Sequence, residues 1–204
     1  MTTARGKPTA AAERVVHEAP VECCNAAAWT RWLKRHHASA AGVWLRMAKK
    51  DSGIPSIDHP AALDAALCFG WIDGQRKSDD AQYFLQRFTP RTPRSTWSQI
   101  NRAKALKLID EGRMQPAGLA EVERARADGR WEAAYEAASV ATVPPDLQAA
   151  LNANHKAAAF FATLDSRNRF AILFRTQGAK KAETRAKRIA QFVEMLAKGE
   201  KIYP

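Results

Sequence analysis

The sequence predicts an α+β protein: a small α+β N-terminal domain built on an antiparallel sheet, followed by an all-helical C-terminal module. Three observations carry this. Apolar and polar residues alternate over 42–49 and 82–91, the period of a half-buried strand. Between and around these runs apolar residues recur every three or four positions, the period of a helix. After Val143-Pro-Pro-Asp146 only the helical period is found, so the chain changes character there.

The elements follow in order. Residues 1–19 are largely Ala, Thr and charge, with Pro8 among them and Pro20 after them, and read as a mobile tail. From Ala26 to His37, Trp29, Trp32 and Leu33 fall at helical spacing with Arg31, Lys34 and Arg35 between them, a short amphipathic helix. In Gly42–Lys49, Val43, Leu45 and Met47 share one face and Trp44 and Arg46 the other, a strand. Asp58-His59-Pro60 opens a helix: Asp58 or His59 caps it, and Pro60 sits where a missing N–H costs nothing. Gly70 suits the helix end or a close backbone approach.

Trp71–Lys77 and Gln82–Arg91 are strand-like runs joined by Ser-Asp-Asp, an antiparallel hairpin with Tyr83, Leu85, Arg87 and Thr89 on one face and Phe84, Gln86 and Phe88 on the other. Asp79 and Asp80 serve the turn. Pro90 and Pro93 end the ladder. Thr96-Trp-Ser-Gln99 fits a capping box and starts a helix running to about Asp110. Residues 117–127 and 131–138 read as two helical pieces broken at Gly129. Four helical segments follow, with Leu147 and Leu151, then Phe160, Phe161 and Leu164, then Phe170, Leu173 and Phe174 behind a Ser166 cap, then Ile189, Phe192, Val193 and Leu196. The predicted organisation is a tail (1–19), an α+β domain (20–115), a helical connector (116–142) and a helical module (143–204).

The 204 residues carry 32 Lys and Arg against 21 Asp and Glu, a net charge of +11. Such a balance suits anionic partners, and it is equally the state of many small basic proteins that use charge for solubility. Three cysteines, two of them adjacent, do not make a disulfide framework, which points to a reducing compartment. With no apolar N-terminal core of a signal peptide and no stretch of ~20 apolar residues, the expectation is a cytoplasmic protein without a membrane span.

The chemistry-bearing motifs are sparse. The five histidines show no metal-site spacing, and no metal or cofactor is expected. Nucleophile-elbow, P-loop and dinucleotide fingerprints are missing from the sequence. Cys68, near a helix C-terminus and between Leu67 and Phe69, reads as a packed core thiol. What stands out is residues 81–109, which hold no Asp or Glu and six Arg or Lys. Arg87 and Arg91 share a strand face if the strand is regular, Arg94 follows in the loop, and Trp97 and Asn101 share a helix face. Asp73 and Arg76 lie on the partner strand. Asp73, Arg76, Arg87, Arg91, Arg94, Trp97 and Asn101 thus form a candidate ligand site at the hairpin–helix junction. Arginine supplies forked donors for carboxylate or phosphate, and tryptophan a stacking face. The competing reading makes Trp71, Phe84, Phe88 and Trp97 core, with arginine stems over them and Asp73 their internal ion-pair partner.

The stretch 66–114, with FGWIDG, RFTPR, PRSTWSQIN and EGRM, resembles the bacterial YdeI/OmpD-associated family, also described as bacteriocin-protection proteins. The C-terminal AKKAETRAKRIAQFVEMLAKGEK is similar to that family's helical module, so the likeness covers roughly residues 26–204. The resemblance implies a link to bacteriocin or antimicrobial-peptide resistance and to an outer-membrane porin. It brings no reaction and no catalytic residues with it.

Three functions are therefore expected in turn. The first is a binding protein, more a binder than an enzyme, that takes a small anionic ligand or an acidic protein segment at the Arg/Trp site. The second is nucleic-acid binding through residues 81–109 and the last helix, with affinity that falls steeply with salt. The third is an enzyme on an anionic substrate with Asp73 as acid or base.

Overall fold

The structure is a computed structural model that describes Val15–Val16, as backbone, and residues 19–204. Thirteen elements follow one another: β1 (Val15–Val16), β2 (Val21–Glu22), α1 (Ala26–His36), β3 (Ala40–Ala48), α2 (His59–Cys68), β4 (Trp71–Ser78), β5 (Tyr83–Pro90), α3 (Gln99–Asp110), α4 (Pro116–Ala127), α5 (Pro145–Asn152), α6 (His155–Thr163), α7 (Ser166–Gln177) and α8 (Ala182–Ala197). The fold class is α+β, as expected. The chain divides into two compact units. One comprises the described residues up to Ser95 together with Ala103–Glu132, the other Thr96–Arg102 together with Ala133–Pro204.

In the first unit the sheet order is β1-β3-β5-β4, with β2 also on β3. The β3–β5 and β5–β4 pairs are antiparallel, whereas β1 and β2 join β3 in parallel. The sheet is therefore mixed, and Val15–Val16 of the stretch read as a tail take part in it. Two-residue strands are too short to show a period in sequence. The alternation read in β3 and β5 is the alternation observed. Val43 pairs with Phe88, Leu45 with Gln86 and Met47 with Phe84, all buried on one face. α1 covers that face. Asn25 caps it by accepting the Ala28 N–H, Trp29 packs 5.4 Å from Phe88 ring to ring, and the Trp29 indole donates to the carbonyl of Ala62 on α2.

The opposite face carries Trp44, Arg46, Tyr83, Leu85 and Arg87. Arg46 is its corner post: its guanidinium reaches Glu22, Asp79 and Asp80 and lies 3.7 Å over the Tyr83 ring. Asp80 also accepts the N–H groups of Gln82 and Tyr83, so of the acidic pair it is Asp80 whose carboxylate serves the turn, while that of Asp79 meets Arg46.

Asp58, and not His59, caps α2 by accepting the Ala61 N–H. α4 packs on α2 at two glycines. A Cβ on Gly118 would lie 2.4 Å from the Cys68 carbonyl oxygen, and one on Gly70 (φ +73°) would lie 2.8 Å from that of Ala117. α4, placed by the sequence in a connector, is thus part of the first unit.

Three local readings are corrected. Ser98, not Thr96, accepts the N–H of Asn101 at the start of α3, because helical geometry begins only at Gln99. Residues 131–138 are not a helix. Tyr135 forms a parallel bridge with Ser98, its N–H donating to Trp97 O and its carbonyl accepting from Gln99 N–H. Asp165, not Ser166, caps α7, a carboxylate one residue earlier reaching the Asn168 N–H. α5–α8 bury Leu147, Leu151, Phe161, Ile172, Phe192 and Leu196 together as the core of the second unit. Among the described residues no helix is long and apolar enough to cross a membrane.

Candidate anion-binding cleft

The hairpin decides where the predicted site residues go. Gly74 and Gln75 of β4 bulge opposite Arg87, and the Gln86 side chain donates to both of their carbonyls, at 3.0 and 3.3 Å. The extra residue changes the faces downstream. Asp73 pairs with Phe88 and Arg76 with Gln86, so residues three apart, which a regular strand would set on opposite faces, share one.

On that face Asp73 accepts from His59: Oδ2 lies 3.0 Å from Nε2, with both side chains about a third exposed. Arg76 is exposed, and its guanidinium lies 3.6 Å over the Phe84 ring. His59, Arg76 and Phe84 line a cleft of about 440 Å³ whose other wall is the β3–α2 loop, including Lys49, Lys50 and Ser56. The loop is held in place. Ser56 Oγ accepts the Ala48 N–H, the Ile57 N–H donates to Cys23 O, and Lys49 N–H donates to Gln82 O.

The electrostatics of this cleft are cationic. Among the described residues Arg76 has no carboxylate partner. Lys49 donates to the Asp80 carbonyl, which leaves its charge uncompensated by that bond. Of the wall's acids, Asp58 is engaged in capping α2 and Asp51 is exposed in a left-handed turn at φ +68°. Stacked on an aromatic ring, a guanidinium keeps its N–H fork free for an anion in the ring's plane.

The remaining predicted residues do not join this site. Arg87 is on the opposite face, over Trp44 at 5.6 Å, where Lys77 also lies over the same ring at 4.5 Å. Arg91 does not share its face, because β5 ends at Pro90 and the Arg91 N–H turns to Gly70 O. Its side chain is 4% exposed. There its charge acts with those of Arg124 and Arg130 to pull down the Glu121 carboxyl, which burial pushes above the ordinary glutamate range. Arg94 is exposed on a turn formed by Thr92 and Ser95. Trp97 and Asn101 belong to the second unit, Trp97 buried and Asn101 in the first turn of α3. The single seven-residue cluster is thus replaced by a cleft lined by Arg76, with Asp73 bonded to the His59 of its wall. Sequence reasoning missed His59 and the loop lysines as site residues. The one available signal was a histidine at the start of a helix, beside Asp58, and it was read as a cap.

Residues 140–199 match the family model described as bacteriocin-protection, YdeI or OmpD-associated, and residues 21–121 match a domain of unknown function (DUF8412). No curated protein and no solved structure matches the chain.

Proposed function

We propose that this chain, a member of the YdeI/OmpD-associated family through its C-terminal module, is a cytoplasmic binding protein that takes a small anionic ligand in the cleft between the β3–α2 loop and β4. One observation carries the reading: Arg76, stacked on Phe84 in a concave site beside Lys49 and His59, is an exposed cation with no carboxylate among the described residues to meet it. Burying one face of a guanidinium while leaving its donors open is how a carboxylate or phosphate is selected over a neutral ligand. The three free cysteines suit a reducing compartment. In line with the family's description, the bound anion would act in a bacteriocin-resistance or stress response.

Calorimetric titration with pyrophosphate and with citrate tests this. Saturable binding that weakens about tenfold or more in Arg76→Gln, the size of a lost charge-assisted hydrogen bond, supports the reading. Equal affinity in the variant overturns it. Tight binding of a single-stranded oligonucleotide alone, falling steeply with salt, would move the function to nucleic acid.

The Asp73–His59 pair favours a second reading, an acid–base enzyme on the same anion. A carboxylate that orients an imidazole in a cleft is the arrangement general-base catalysis uses. Unchanged turnover in Asp73→Asn for every substrate that is found would remove it.

A further inference from the structure

The second unit holds a separate cavity of about 480 Å³ along α7, within the size range of small-molecule sites. Arg167, Phe170, Ala171, Phe174 and Arg175 fall at helical spacing and line it as one stripe. Asn168, Ile172, Leu173 and Thr176 on the other side of the helix are buried. Phe170 and Phe174 of the stripe pack ring to ring, centroids 5.8 Å apart, with the small Ala171 beside them in the lining.

The walls are fixed by polar contacts that have no part in the apolar core. Tyr203 is held by Asn168 in a reciprocal pair: its N–H donates to Asn168 Oδ1 at 2.9 Å, and Asn168 Nδ2 donates to its carbonyl at 3.3 Å. Asn168 is 1% exposed and is itself oriented by Asp165. Beside the floor stands Tyr135, edge-on to Phe174 at 4.9 Å, its backbone fixed by the bridge to Ser98. Both arginines lie over the Tyr203 ring, Arg167 at 4.1 Å and Arg175 at 5.9 Å. Neither has an ion pair among the described residues, and both are exposed at the cavity rim.

We infer that this cavity binds a small planar aromatic ring carrying one carboxylate or phosphate. Aromatic rings at the floor and side offer offset or edge-on contacts to a flat ring, and the two guanidiniums offer forked donors to its anionic group. Arginine stacking on Tyr203 explains how that tyrosine is pinned. It does not explain an open aromatic floor between two uncompensated cations. A site built from both parts needs both parts of the ligand, which separates it from the cleft under the β3–α2 loop, where the anion alone is recognised.

The test is fluorescence titration of the full chain with 1-naphthoate and 1-naphthyl phosphate. Cyclohexanecarboxylate, which has the charge without the ring, and 1-naphthalenemethanol, which has the ring without the charge, serve as competitors. Saturable binding of a naphthyl anion is expected, with neither competitor displacing it at equal concentration. The preferred anion identifies the natural group as carboxylate or phosphate. Arg167→Gln and Arg175→Gln, both exposed and expected to fold, each weaken binding about tenfold. The titrations are run in the Arg76→Gln background, so the cleft of the first unit does not contribute and the two sites fail independently. No saturable binding, equal affinity in both arginine variants, or full displacement by cyclohexanecarboxylate overturns the assignment.

Discussion

Asp73 Oδ2 lies 3.0 Å from Nε2 of His59 and so ties β4 to the first residue of α2. A neutral imidazole that faces a carboxylate through Nε2 keeps its proton there. Asp73→Ala removes that preference. Nitrogen-15 NMR of the imidazole is expected to show an Nε2–H tautomer in the parent protein and a mixture in the variant. With both side chains about a third exposed, the stability cost is small, about 0.5–1 kcal/mol. The same tautomer mixture in both proteins would mean that the pair is not formed in solution.

Gly118 offers a sharper test of packing. An alanine is the better helix former by about 1 kcal/mol. At 118, however, its Cβ would meet two carbonyl oxygens of α2 and the Met114 sulfur, all within 2.8 Å. Backbone oxygens cannot move aside, so overpacking of about 1–3 kcal/mol wins. Gly118→Ala is expected to lower the unfolding midpoint in urea. A variant as stable as the parent would show that α2 and α4 pack less closely than described.

Most of the first unit was legible because its elements are periodic. The alternation of Val43, Leu45 and Met47 and of Phe84, Gln86 and Phe88 gave the faces that the registers confirm. Gly70 was read as a helix end or a close approach, and its positive φ beside Ala117 makes it both. The site was legible only in part. Period-two reasoning places Arg91 beside Arg87 only if the strand stays regular past Pro90, and β5 stops at that proline, where the sequence also ends the ladder. That reasoning could not see the Gly74–Gln75 bulge, which a buried glutamine side chain from the next strand completes. His59 and Arg76 meet in one cleft only through tertiary structure. In the second unit helical spacing groups Phe170 and Phe174 with Leu173, yet Leu173 is buried while the two phenylalanines are half-buried and line a cavity, since spacing gives a face and not what covers it.

The cysteines should separate by reactivity. Cys24 is exposed, whereas Cys23 and Cys68 are buried. Burial, with the neighbouring Cys24 adding to it and Arg31 opposing it, pushes the Cys23 thiol up to about 11, and burial raises Cys68 as well. At pH 8 only about a thousandth of Cys23 is thiolate, the reactive form. A disulfide reagent is expected to titrate one thiol quickly in the native protein and all three after unfolding. Two or more fast thiols would contradict the described packing of Cys23 or Cys68.

In the second unit one guanidinium joins three helices. Arg185 of α8 meets Asp146 of α5 through Nε at 2.5 Å and Nη2 at 2.8 Å, and donates through Nη1 to the carbonyl of Thr176 on α7 at 2.9 Å. The hydrogen bonds from Arg185 hold the Asp146 carboxyl below the ordinary aspartate range. A carboxyl depressed in the folded state adds stability that is complete above its unfolded value and is lost as the pH falls through its folded one. For a pair this exposed the contribution at neutral pH is about 0.5–1 kcal/mol. Asp165 and Glu194 are also held low and titrate nearby, so the parent curve alone does not isolate the pair. The difference between the parent and Asp146→Asn does. The variant is expected to unfold at a lower temperature at pH 7, and the two midpoints to converge as the pH drops below the aspartate range. Arg185→Lys should behave like Asp146→Asn at pH 7, because an ammonium cannot span both carboxylate oxygens and the Thr176 carbonyl. Midpoints that stay the same distance apart at every pH would show that the charge on Asp146 is not what Arg185 stabilises.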